Sequence, residues 1–203
     1  MKTNTLHFII LITITLCLSC KQKSQATLTQ YKYADKNPTI SCNIETDDLF
    51  KEALYSFEND IINAYDKNGL NKLRAYRTFI TYSMTNRVQF DKIISKQTKA
   101  VFDVLKTHTN LWDGNHLNYN HNLLSCLTQK MMDKNLKTTF KALVSTNSMS
   151  QQIFTPALQS NTSYSNDPYL QTFIALDYFY AKLFQVDFNS VDFEANETNQ
   201  KAV

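Results

Sequence analysis

Asp113, His116 and His121, with His108 nearby, are the residue types that hold a zinc ion or exchange protons in hydrolysis. Their spacing works against a shared helical face. Histidines five apart do not stack as an i, i+4 pair does, and Asn115, Asn118, Asn120 and Asn122 around them read as a solvated loop. Asp177 is the second candidate. It stands alone in an aromatic stretch, where a carboxylate buried without a partner is disfavoured. A raised pKa and a general-acid role would follow if it faced a cleft, and a structural ion pair is the competing expectation. The chain's three arginines, Arg74, Arg77 and Arg87, share one helical run. Arg74 and Arg77, one turn apart, are the expected partners of Asp177.

A third pattern, Asp66-Lys67-Asn68-Gly69, has the middle of a calcium loop but not its ends. Ala64 stands where the first acid should be and Ala75 where the bidentate glutamate should be, so the pattern is rejected. A fourth is compositional. Eleven tyrosines and twenty asparagines, with Tyr119, Tyr164 and Tyr169 near expected loops, would suit a sugar or peptide ligand surface. A biased nucleotide composition would produce the same residues without selection for binding.

Absent residues exclude more than present ones suggest. With only Gly69 and Gly114, the chain cannot supply a phosphate-cradling P-loop, a dinucleotide G-x-G-x-x-G turn or a G-x-S-x-G nucleophile elbow. Scarce glycine and proline also argue against an all-β fold of tight turns. The formal charge of +3 is small and interspersed, so no nucleic-acid footprint is visible. Nothing in the pattern implies a cofactor.

The elements that must position these residues are helical. Thr46-Asp47-Asp48 offers a helix start with Ile44 placed to pack back on it. Phe50, Leu54, Phe57, Ile61 and Tyr65 continue the stripe and Asn68-Gly69 supplies a stop. Leu73, Tyr76, Ile80, Met84 and Val88 form a second stripe, with a break expected near Phe90-Asp91 before Ile94, Val101 and Leu105. Trp112-Asp113-Gly114-Asn115 has turn chemistry. Leu124, Leu127 and Met131, then Leu136, Phe140 and Leu143, change phase near Asp133 and suggest a bend or two short helices. Residues 145–166 are polar, with Pro156 inside, and read as a long loop around Ile153-Phe154. Asp167-Pro168 then opens a helix, Tyr169 to Gln185, that is apolar nearly all round and belongs at the centre of a bundle. The expectation is an all-α bundle of five or six helices over 45–193, an N-terminal tether over 20–44 and a disordered tail over 194–203.

Residues 1–19 carry an address. Lys2 precedes an apolar run from Leu6 to Leu18, about 13 residues long, whereas a span needs roughly 20. Leu18-Ser19-Cys20 resembles the lipobox of bacterial lipoproteins, with Cys17 at the third position before Cys20 where leucine is usual. The resemblance covers these residues alone. It implies that Cys20 is acylated and becomes the mature N-terminus, tethering the domain to a membrane. Lys21-Gln22-Lys23 lacks the acidic residues of a surface-export signal, which favours an outer-membrane anchor facing the periplasm. Cys42 and Cys126 are the cysteines left beyond Cys20, and an oxidising compartment would allow them to pair. The rival reading keeps Cys126 as a core thiol among Leu123, Leu124 and Leu127.

Three function classes follow. The first is a helical interaction or accessory module of the envelope, with an envelope protein or glycan as partner. The second is a cell-envelope hydrolase using Asp113, His116, His121 or Asp177. The third is an immunity or inhibitor lipoprotein.

Overall fold

The computed structural model describes residues 27–44, 46–66 and 71–201. The signal segment, Cys20 and the Asn68-Gly69 stop lie outside the described residues.

The fold is all-α. Helices α1 (Asp47–Tyr65) and α2 (Lys72–Met84) pack side by side. The short α3 (Phe90–Ile93) and α4 (Lys96–Leu105) follow, so the expected break falls on both sides of Phe90-Asp91. A two-residue hairpin, β1 (Trp112–Asp113) and β2 (His116–Leu117), interrupts the helices, with Trp112 opposite Leu117 and Asp113 opposite His116. Gly114 at its tip has a φ of +61°, a left-handed conformation that suits glycine. Next come α5 (Asn122–Lys130), α6 (Lys134–Ser145), α7 (Gln151–Gln159) and α8 (Pro168–Ile174). The phase change near Asp133 thus marks two helices, and the Asp133 carboxylate caps the second by accepting from Leu136 N–H at 2.8 Å. α8 runs on as a π turn, Ala175–Phe179, and a 3₁₀ segment, Tyr180–Gln185.

The aromatic segment from Leu170 to Leu183 is buried almost throughout, as its all-round apolarity requires. Phe179 of the π turn packs against Phe57 of α1 at a ring distance of 5.1 Å, with Phe79 and Phe90 also in contact. α1 is central as well. Besides its apolar stripe it buries Glu52, Ser56, Glu58 and Asp60.

One expectation needs correction, and two further segments gain detail. The segment read as a long loop over 145–166 contains α7, nine residues capped by Ser150, with Pro156 inside it and Phe154 and Leu158 in the core. The apolar spacing Phe154 to Leu158 was hidden by polar neighbours. From Phe193 to Lys201 the described chain runs as a helix, α9. Its buried Asn196 donates from Nδ2 to Asp91 O at 3.1 Å and Ile94 O at 2.9 Å, which anchors an otherwise polar helix. The described part of the tether, Thr27 to Ile44, is a strap laid on the body. Lys32 N–H and Tyr33 N–H donate to the Glu52 carboxylate at 2.9 Å each, and Thr39 and Ile40 are buried. Cys42 is bonded to Cys126 on α5, with Cα atoms 5.8 Å apart. Thr46 occupies the start of α1 without a side-chain cap, and Asp47 turns back to accept from Cys42 N–H and Asn43 N–H.

Candidate functional site

Of the residues singled out for chemistry, Asp113, His116, Tyr119 and Asp177 come together on the face where the hairpin crosses the π turn. A π turn inserts one residue into the helical repeat and often accompanies function. Here it aims Asp177 under the hairpin. The carboxylate is fully buried and accepts from Leu117 N–H at 2.8 Å and from the Tyr119 hydroxyl at 3.2 and 3.3 Å. The Asp177 carbonyl accepts from the Gln151 amide at 2.5 Å, tying the start of α7 to the same turn. Tyr178, next in the turn, meets Thr155 of α7 hydroxyl to hydroxyl at 3.1 Å.

The expected ion pair does not form. Arg74 lies 3.7 Å from Asp66 and is mostly exposed, and Arg77 is exposed on the same helix. Asp177 is satisfied by a backbone amide and a phenol instead. A loop N–H supplies a neutral donor at fixed distance, without the desolvation of a second charge. Burial pushes the Asp177 carboxyl up, while the Leu117 N–H, Gln151 and the proximity of His116 and Lys182 pull it down without cancelling the rise. Burial and the Asp177 charge together push the Tyr119 phenol far up. The hydroxyl therefore stays protonated and donates.

The zinc-type residues do not assemble. Asp113 and His116 face each other across the hairpin ladder. His116 stacks on Tyr119 at 5.0 Å, and its Nδ1 lies 2.7 Å from Leu117 O. His121 does different work: its Nδ1 accepts from Leu123 N–H at 3.1 Å and caps α5. That role needs a neutral ring, and burial followed by the nearby His108 holds the His121 pKa below its ordinary value. Among the described residues no three of His, Cys, Asp and Glu come together as a metal site.

Two clefts flank the hairpin. A cleft of about 230 Å³ on one side is walled by Asp113, His116, Tyr119, Asn147 and Met149. On the other side, a cleft of about 470 Å³ lies between the hairpin tip at Asn115, the end of α2 and the 3₁₀ segment, with Val88, Phe90, Tyr178 and Lys182 in its walls. Of the tyrosines considered for a ligand surface, only Tyr119 borders a cleft here. Tyr164 is fully buried against Tyr76, 5.8 Å away, and Tyr169 lies beneath the Lys130 ammonium.

Sequence reasoning found Asp177, and Asp167 as a helix start, but missed Glu52 and Asp60 and the hold of Asp167 on a remote loop; these buried acids all act in the same way. Asp60 accepts from Ser95 N–H at 3.1 Å and Thr98 Oγ1 at 2.6 Å, fastening α1 to the start of α4. Asp167 accepts from Met132 N–H at 2.7 Å and caps α8. The readable signal was position: Asp60 falls three residues after Phe57, beside the apolar stripe of α1. No protein-family model, no curated protein and no solved structure matches this chain.

Proposed function

We propose that this protein is an envelope lipoprotein, anchored in the outer membrane through acylated Cys20 and facing the periplasm, that serves as a helical interaction or accessory module. The observation that carries the reading is the Cys42–Cys126 bond, which fits an oxidising compartment outside the cytoplasm. The bond also has mechanical sense for a tethered domain. From Cys20 to Leu28, which packs on the core, eight residues span at most about 30 Å, so the body stays close to the bilayer surface. Force arriving through the strap would reach α5 through a covalent link. An accessory role is supported by the use of the buried acids: Glu52, Asp167 and Asp177 hold loop N–H groups, and Asp177 has no exposed oxygen to offer a substrate. The hydrolase alternative draws on Asp113, His116 and Asp177 and has correspondingly less support. An immunity or inhibitor role shares the same anchor and differs in its partner.

Mass spectrometry of the protein recovered from membranes tests the address. The expected result is a chain beginning at an acylated Cys20 with Cys42 and Cys126 oxidised. A chain that keeps Met1, or an unmodified Cys20, overturns it. Cross-linking in the intact envelope tests the role, with one recurrent protein or glycan partner expected for the anchored form and lost in Cys20→Ala.

A further inference from the structure

The larger cleft beside the hairpin is bordered by a lysine that meets no carboxylate among the described residues. Lys182 is half-buried, and its ammonium donates to Asn115 O at 3.1 Å. Three N–H donors belong to that group, so one backbone carbonyl leaves capacity over. Lys51, Lys72 and Lys99 are buried or half-buried too, and each has a carboxylate within 4 Å: Asp48, Glu58 and Asp103. Among the described residues Lys182 has none. Lys137, also half-buried without a carboxylate, donates to Gln129 O and borders neither cleft beside the hairpin. Asp177 is the carboxylate whose field reaches Lys182, but its oxygens are held by Leu117 and Tyr119. Burial therefore dominates and holds the Lys182 pKa below its ordinary value.

The walls around this ammonium are of two kinds. Val88, Phe90 and Val186 are apolar, while Asn86 and Gln185 bring amide groups. A volume of about 470 Å³ lies within the ordinary range of small-molecule sites, roughly 300–1,000 Å³, and here polar and apolar groups share the walls. We propose that this cleft binds a small organic carboxylate with an apolar body, its carboxylate on Lys182 and its body against Val88, Phe90 and Val186. An anion there would offset the desolvation of the ammonium, and a charge-assisted hydrogen bond is stronger when water is excluded. The site stands independently of the membrane anchor.

Calorimetric titration of the purified protein, processed as the cell makes it, with phenylacetate tests the assignment, with 2-phenylethylamine as a cation of similar shape. Saturable binding of phenylacetate and none of the amine is expected. Lys182→Met should weaken binding about tenfold or more, while Lys182→Arg retains it within about threefold. Val186→Trp should abolish binding by filling the apolar end, and this variant carries the test if Lys182→Met does not fold. Equal binding of the amine, no saturation, or unchanged affinity in Lys182→Met or Val186→Trp overturns the proposal. An acetylated tripeptide ending in phenylalanine separates the two sources of such a carboxylate. Tighter binding of its free-acid form than of phenylacetate points to a chain terminus, and weaker binding to a free small acid.

Discussion

The strap over residues 27–44 and the hairpin over 112–117 are both short irregular segments laid across helices, yet different forces hold them. The strap has a covalent bond at Cys42–Cys126 and a row of hydrogen bonds to Glu52 and Asp47 on α1. The hairpin has no such bond; Asp177 holds it from below through Leu117 N–H and Tyr119, while Lys182 donates to Asn115 O at its tip and Trp112 Nε1 donates to Leu105 O. The contrast follows from what each segment buries. The strap offers little apolar surface, with Leu28, Ile40 and Ile44 its main contributions, whereas the hairpin buries Leu117 completely and brackets Trp112 against Phe184. A segment with little hydrophobic grip depends on a cross-link or on side-chain acceptors that satisfy its N–H groups.

Breaking the staple should have the largest effect. Closing a loop of 84 residues restricts the unfolded chain by about 4–5 kcal/mol in the chain-entropy account. Chemical denaturation with and without reductant should differ by roughly that amount, and Cys126→Ser should match the reduced protein. A difference below about 1 kcal/mol would mean that the strap already persists in the denatured ensemble.

The hairpin's anchor comes next. Asp177→Ala leaves Leu117 N–H and the Tyr119 hydroxyl without an acceptor, at about 1–3 kcal/mol for each buried donor. Asp177→Asn retains an acceptor oxygen and should recover part of the loss. Urea unfolding of the two variants, with Trp112 fluorescence as a local probe, separates them. Equal stability of Asp177→Ala and the parent would refute the anchoring role.

Asp60 sharpens the comparison, because it fastens two helices rather than a loop. Burial raises its pKa from 3.8 to about 6, against the pull of Thr98 and Ser95. The native state thus binds this proton more tightly than the unfolded chain does. Its stabilising contribution is full below about pH 4 and is lost as pH rises through about 6, a change of no more than about 3 kcal/mol. The stability difference between the parent and Asp60→Asn should fall over that window, and a pH-independent difference would contradict the raised value.

The smallest effect belongs to the arginines once expected under Asp177. Arg77→Ala on an exposed face should change stability by no more than about 0.5 kcal/mol. Arg74→Ala, which loses only an exposed partner of Asp66, should stay below about 1 kcal/mol. A loss of several kcal/mol from either would reinstate a buried ion pair.

The helices were legible because period and caps are local. The stripe from Phe50 to Tyr65, the breaks near Phe90 and Asp133, and the Asp167-Pro168 start all depend on residues within a turn or two of one another. α7 and α9 escaped because their polar composition conceals single anchoring residues, Phe154, Leu158 and Asn196, whose partners are remote in sequence. Asp177 was recognisable as an isolated acid in an apolar helix. Its partner was not, since the π turn shifts the register within that helix and the donor lies 60 residues upstream, on a backbone amide that every sequence possesses.

The sequence by itself therefore determined the helical class, the exclusion of glycine-dependent nucleotide and nucleophile motifs, and the identity of the residues able to cross-link or to carry buried charge. The tertiary structure alone decided what those residues touch: Asp177 a loop N–H instead of an arginine, His121 a helix start instead of a metal, Lys182 an open cleft instead of a carboxylate. Propensity and periodicity act over a few residues, whereas the partner of a buried polar group is chosen by whichever donor or acceptor packing brings within about 3 Å.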